Sequence, residues 1–149
     1  MVRDLQPSDM PRLAQLYKLF WNEESDPDAM VQRLESLKDN PDYIFLGYAA
    51  ENAPLAGTVT GIVCYELYGT CQPFLVLENL IVDPALRQKG VGRSLVRALE
   101  ARAARRGCTQ IILVTEKSRA DARGFYETMG FSTNNTGYKK KIHAAPAAE

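Results

Sequence analysis

One stretch limits the fold more than any other. Residues 74–84, FLVLENLIVDP, run through Ala85 and Leu86 into RQKGVG at 87–92 and then into RSLVRALEARAARRG. The first segment is apolar on both alternating faces, the pattern of a central strand covered on two sides, and Pro84 ends it. From Val91 the apolar residues Val91, Leu95, Leu99 and Ala103 recur every four positions with arginines between them, which predicts an amphipathic helix. Arg105 and Arg106 suit the negative C-terminal end of that helix, and Gly107 suits the position just past it. A buried strand feeding a helix through a glycine turn points to an α/β fold.

The same turn points to an anion. A helix start leaves its first backbone N–H groups unpaired and partly positive. Gly90 and Gly92 remove side chains that would fend off a ligand, and Arg87, Lys89 and Arg93 add charge. The result is a phosphate cradle at a helix N-terminus. It is not a P-loop, because no Gly-Lys-Ser/Thr ending occurs, and not the dinucleotide GxGxxG, whose third glycine is replaced by Leu95. What remains is R-x-x-G-x-G after a strand that ends in Val-Asp-Pro.

The remaining chain reads as alternating elements. A short strand is expected at about residues 2–5. A helix follows over PSDMPRLAQLYKLFW, with Ser8 or Asp9 as N-cap and Pro11 in its first turn. Asp26 and Pro27 open a second helix running to about Lys38. YIFLGYAA and TVTGIVCYEL form an antiparallel hairpin around ENAPLAG, and YGTCQP turns into the strand at 74–84. After the basic helix come a buried strand at QIILVT, a shorter helix over RADARGFYETMGF, a last strand at GYKKKI, and the tail HAAPAAE, expected to be disordered. The order predicts one α/β domain over residues 1–142, with a central mixed, mostly antiparallel sheet flanked by helices on both faces, and a short tail at 143–149.

Composition narrows the class of activity. With 18 basic and 18 acidic residues the formal net charge is zero, so nothing global suggests a nucleic-acid partner. No apolar run approaches the ~20 residues of a membrane span, and residues 1–10 carry no apolar core of a signal peptide. Cys64, Cys71 and Cys108 are scattered and have no metal-ligand spacing, which suits a reduced cytoplasmic setting and no metal. The single histidine, His143, lies in the tail. Charge is uneven: residues 1–42 hold nine acids and five bases, whereas residues 87–106 hold seven bases and one acid.

LENLIVDPALRQKGVGRSLVRAL resembles the acetyl-CoA-binding motif of the GNAT N-acetyltransferase superfamily, and ADARGFYETMGF resembles that superfamily's second motif. With the element order, the resemblance covers residues 1 to about 142. It implies an acetyl-CoA-dependent N-acetyltransferase that binds the pyrophosphate of coenzyme A on Arg87, Gln88, Lys89, Gly90, Val91, Gly92 and Arg93. It implies that the pantetheine arm lies along Leu80, Ile81 and Val82 as an added pseudo-strand, in the way exposed strand edges accept partners. Two positions depart from the family: Gln88 stands where Gly is frequent, and Arg119 where Asn is frequent, seven residues before the tyrosine, at a pantetheine contact.

Acetyl transfer needs a neutral amine, and at pH 7 an amine of pKa about 10.4 is neutral in only ~0.04% of molecules. It also profits from a proton donor for the leaving thiolate. The resemblance puts Tyr126 in the donor's place; packing beside Phe125 is the structural alternative. Glu78 stands with Asn79 in an otherwise apolar strand, where a buried carboxylate is costly unless it is paired or functional. The resemblance makes Glu78 a general base beside the acceptor amine. A local hydrogen bond, or exposure where strands splay, would account for it equally. Asn79 replaces the aspartate of the GNAT diamine acetyltransferases. Glu23 and Glu24, with Asp26 and Asp28, border the acceptor site in this superfamily and would attract a cation, although Asp26 and Asp28 are explained by helix capping. Trp21 and Phe20 either wall that pocket or pack in the core. The acceptor is expected to be a small cationic amine such as a polyamine or aminoglycoside, or a protein amine. A sensor that binds acyl-CoA without turnover is the alternative from another class, and a homodimer is a family-level expectation.

Overall fold

The sheet is built mostly from neighbours in sequence. In the computed structural model, which describes residues 1–116 and 119–142, five strands lie in the order β1-β2-β3-β4-β5. They are β1 Val2–Asp4, β2 Tyr43–Tyr48, β3 Gly57–Cys64, β4 Phe74–Val82 and β5 Ile111–Ile112. The first three pairings are antiparallel, and β4 pairs with β5 in parallel. The helices are α1 Met10–Trp21, α2 Pro27–Leu37, α3 Val91–Arg105 and α4 Ala120–Thr128, with short 3-10 turns at Pro7–Asp9 and Pro84–Leu86. The chain divides into two compact units, Met1–Leu113 and Val114–Glu149. His143 and the expected tail at 143–149 lie outside the described residues.

In the first unit, β3 is the middle strand and β4 lies one place from the edge, so the strand expected at the centre is offset from it. One face of the sheet carries α3, whose Leu95, Val96 and Leu99 are fully buried. Burial of each such leucine is worth about 1.5–3 kcal/mol. Gly57 and Gly61 of β3 let that helix approach. A Cβ on Gly57 would stand 2.7 Å from the Ile81 carbonyl oxygen and 3.3 Å from Leu95, and one on Gly61 would stand 2.5 Å from Leu99. A second core gathers Leu5, Met10, Leu13, Leu16, Leu55 and Ile81, covered by Tyr17 and Phe20 of α1 and by Met30, Val31 and Leu34 of α2.

Two of these cores draw on the same strand because β4 changes phase. Leu75, which borders the Gly61–Leu99 contact, belongs to the α3 side, whereas Ile81 belongs to the α1 side. Strict alternation would put both on one face. The register slips between Thr58 and Thr60 of β3, and Asn79 opposite takes a left-handed φ of 53°. This is a bulge, and asparagine is among the few residues that tolerate that backbone.

The helix ends follow their sequence signals with one exception. Asp26 accepts from the amides of Asp28 and Ala29 and caps α2, and Gly107 takes a φ of 76° just after α3. Asp9 does not cap α1. Its carboxylate is held instead by Arg3, at 2.7 and 2.8 Å, and by the amide of Gln6.

Three strand expectations need correction. β3 stops at Cys64, because Tyr65, Leu67 and Tyr68 enter an exposed loop. β5 is two residues, not six, because its ladder to β4 ends at Val76↔Ile112, before the bulge. GYKKKI forms no strand. Tyr138 and Ile142, its two large apolar residues, are both exposed, with three exposed lysines between them, so the segment buries no face. In the second unit α4 buries Ala122, and Gly130 takes a φ of 91° beyond its end.

Candidate active site

The edge of β4 past Val76 has no strand partner among the described residues, since β5 ends at Ile112. The bulge at Asn79 lies on this stretch, followed by Leu80, Ile81 and Val82. Their other edge is occupied, with Ile81 opposite Thr58 and Val82 opposite Gly57. Alternate backbone groups of a strand point to its two edges, so an extended ligand along Leu77–Val82 has hydrogen-bonding groups to use.

This edge leads into an uncapped helix start. Asp83 ends β4, accepts from the amide of Ala85 at 2.9 Å, and forms an ion pair with Arg12 of α1. Arg12 Nε also donates to the Leu55 carbonyl. The chain then passes through Arg87 and Gln88, which takes a left-handed φ of 61°, to Gly90 at 82°. The first intrahelical bond of α3 runs from the Ser94 amide to the Gly90 carbonyl. The amides of Val91, Gly92 and Arg93 therefore precede it and have no intrahelical acceptor.

Comparison with α2 sharpens the point. There Asp26 fills the helix start, whereas no side chain caps α3. A Cβ on Gly90 would meet nothing within 4 Å, so the space beside it is open. Arg87, Lys89 and Arg93 are exposed and, among the described residues, make no ion pair. Open space, free amides and uncommitted cations fit a pyrophosphate.

The other sequence candidates are distributed as follows. Glu78 is exposed and pairs opposite buried Thr60, so burial gives no reason to suspect it. Asn79 is half-buried. Glu24 is tied to Lys18, and Asp26 is spent on its cap, which leaves Glu23 and Asp28 as the exposed acids of this segment without an ion pair among the described residues. Trp21 is 45% exposed and so is not a core residue. Arg119 and Tyr126 belong to the second unit, at the N-cap and in the second turn of α4. The Tyr126 ring is half-buried, edge-on to Phe125 at 5.4 Å and to Phe131 at 5.6 Å, which fixes its orientation. Burial pushes the Cys108 thiol above its usual range. Among the described residues no group of three His, Cys, Asp or Glu is placed to hold a metal, and no helix is long and apolar enough to cross a membrane.

Sequence reading missed the bulge, the Arg12–Asp83 tie and the two spacing glycines of β3. Only the glycines left a signal, since Gly inside a strand pattern often marks close backbone approach.

The chain is similar to known proteins. The profile of the Acetyltransferase (GNAT) family matches residues 10–131, across both units. An N-acetyltransferase of Bacillus subtilis (strain 168), YhfO, is 28% identical, and the match covers 98% of each chain. An aminoglycoside N(6')-acetyltransferase type 1 of Stenotrophomonas maltophilia is 27% identical over 99% of this chain and 95% of its own. The structure of a putative acetyltransferase from Agrobacterium tumefaciens str. C58 superposes with a TM-score of 0.85 at 26% identity, covering 95% of this chain and 99% of that one. The chain belongs to the GNAT family of acetyltransferases. It is an acetyl-CoA-dependent N-acetyltransferase, with the mixed, mostly antiparallel sheet of that fold.

Proposed function

We propose that the enzyme transfers acetyl from acetyl-CoA directly to the primary amine of a small cationic acceptor. One observation carries the reading: the unpaired edge of β4 runs straight into the uncapped, cation-flanked start of α3. The amides and side chains of residues 87–93 would hold the pyrophosphate. The backbone of Leu80, Ile81 and Val82 would hold the pantetheine arm, with Arg119 as a further contact. Acetyl-CoA, when bound, supplies the thioester.

The chain's own residues then have three tasks. Glu78, exposed at the bulge, takes a proton from the acceptor ammonium, directly or through water. Backbone N–H groups at the bulge polarise the thioester carbonyl. As the amine nitrogen bonds to that carbon and the carbon–sulfur bond breaks, Tyr126 gives its phenolic proton to the thiolate. A phenol of pKa about 10 still carries that proton at pH 7. The scatter of Cys64, Cys71 and Cys108, with the single histidine in the tail, offers no thiol–base pair for a covalent route and so supports direct transfer.

Support for a small amine comes from the acetylated class named for the Stenotrophomonas relative and from Glu23 and Asp28 beside the α1 C-terminus. A protein lysine or N-terminus is the second reading. It is favoured by the exposure of those acids, which lie on the surface and not in an enclosed pocket.

The test is thiol release from acetyl-CoA against polyamines, aminoglycosides, amino acids and lysine peptides. Turnover confined to a small-amine class is expected. Turnover of peptides alone would move the acceptor to proteins. No turnover with any of them would overturn the acceptor assignment.

A further inference from the structure

The exposed tryptophan of α1 has no role in the core and none in the chemistry above. Trp21 is the last residue of α1 and is 45% exposed, and Asn22 after it takes a left-handed φ of 56° that turns the chain. Its indole is not loose. Tyr17 lies against it at 5.1 Å, tilted 35°, and Phe20 meets it edge-on at 5.4 Å. Tyr17 and Phe20 in turn pack on the core that contains Ile81, two residues past the bulge. Burial raises the Tyr17 phenol, in keeping with its place beneath the indole. The outcome is a rigid aromatic plate with solvent on one side, followed within seven residues by the free acids Glu23 and Asp28.

Burial would stabilise a large apolar ring, so leaving it half open forgoes that gain. What an open indole face offers is a flat contact for C–H-rich surface and an attraction for an ammonium held over it. The tilted tyrosine and the edge-on phenylalanine hold the plate in place before any ligand arrives, so little order remains to be imposed on the protein. A rigid ring exploits this fully, because it brings its whole face without losing torsional freedom. A flexible polyamine covers less of the indole and loses chain entropy on binding.

We propose that Trp21 is the acceptor-recognition residue, and that it takes the flat face of a saturated ring bearing an ammonium group, of the amino-sugar kind, with Glu23 beside it for the charge. The assignment rests on the acceptor site proposed above for the α1–α2 segment.

Trp21 is the only tryptophan in the chain, so its emission reports binding without any need for turnover. The purified enzyme is titrated with kanamycin, with spermidine and with coenzyme A, and the tryptophan emission is followed. A saturable change with kanamycin, larger than any change with spermidine or coenzyme A, is expected. In thiol release with kanamycin, Trp21→Ala is expected to raise KM about tenfold, with kcat changed by less than about threefold. Trp21→Phe, which keeps a flat ring, is expected to restore most of the affinity.

Unchanged emission with kanamycin overturns the proposal. So does an equal response to spermidine, or to coenzyme A, since the plate would then favour a chain or face the donor. A KM within about twofold of wild type in Trp21→Ala overturns it as well. If kanamycin shifts the emission but is not acetylated, the recognition role stands and the reaction proposed for that acceptor fails. If kanamycin is acetylated with silent emission, the reaction stands and the recognition role fails.

Discussion

Arg12 in the first turn of α1 forms an ion pair with Asp83, the residue on which β4 ends. The pair is only partly exposed, and each partner has a second bond, Arg12 to the Leu55 carbonyl and Asp83 to the Ala85 amide. It therefore fixes where the loop toward Gly90 begins.

Asp83→Ala removes both bonds at once and leaves Arg12 without its counter-charge. A loss of about 1–3 kcal/mol is expected in chemical denaturation. KM for acetyl-CoA is expected to rise more than kcat falls, because the change lies at the cradle and not at the thioester. Steady-state kinetics against both substrates checks this split.

Gly57→Ala tests the spacing of α3. The added methyl would meet the Ile81 carbonyl oxygen at 2.7 Å, and backbone cannot swing aside as a side-chain tip can. β3 and β4 must shift apart, and Val91 and Leu95 of α3, at 3.2 and 3.3 Å, must lift slightly, which costs about 1–3 kcal/mol and disturbs the start of the helix. Lower thermal stability together with weaker acetyl-CoA binding is expected. Lower stability with unchanged binding would mean that the lift is absorbed elsewhere.

Gly90 and Gln88 both adopt left-handed backbone, with opposite consequences for substitution. Gly90→Ala has room for its methyl but pays about 1–2 kcal/mol for the conformation, and the methyl projects into the proposed phosphate space. Gln88→Gly relieves the same kind of cost and is expected to stabilise the chain by up to about 1 kcal/mol. Melting temperatures with and without acetyl-CoA separate the effects: Gly90→Ala loses the ligand-induced rise, and Gln88→Gly keeps it.

Tyr126→Phe is expected to lower kcat about 10²–10⁴-fold while coenzyme A binding persists. Glu78→Gln is expected to remove the rise of kcat/KM with pH that deprotonation of a general base produces. An unaltered pH profile would take Glu78 out of the mechanism. Full activity in Tyr126→Phe would do the same for Tyr126.

Asp9 links acidity to stability. Burial alone would raise its carboxyl, but the hydrogen bonds from Arg3 and from the Gln6 amide, with the Arg3 charge, outweigh it and hold the folded value below the ordinary one. The contribution is thus complete above the unfolded value of about 3.9, and it disappears as pH falls through the lower folded value. Asp9→Asn is expected to cost about 1–3 kcal/mol at pH 7 and to flatten the loss of stability on acidification below about pH 4. Denaturation midpoints of the two proteins at pH 7 and pH 3 check the sign.

How much was legible beforehand differs from residue to residue. The glycine turn and the helix after it were, because Gly90 and the period of α3 are local signals within about twenty residues. The cap at Asp26 was legible for the same reason. The bulge was not, since nothing in LENLIV distinguishes a regular strand from one that turns over at Asn79. That choice is made by which core Leu75 and Ile81 each fill. Asp9 suited an N-cap by type and position, but Arg3 competed for its carboxylate and won. GYKKKI offers only Tyr138 and Ile142 as large apolar residues, with three lysines between them, and with both exposed it has no buried face to specify a strand.

The short β5 also has a kinetic meaning. β2, β3 and β4 are closed by nearby turns, whereas β5 joins through two residue pairs after a helical crossover. Cooperative opening begins where the fewest bonds hold. The amides of Ile111 and Ile112 are therefore expected to exchange with solvent well before those of β3, whose release requires the whole sheet to melt. The seam between β4 and β5 is then the part of the sheet expected to open first, while the framework of β1 to β4 stays folded.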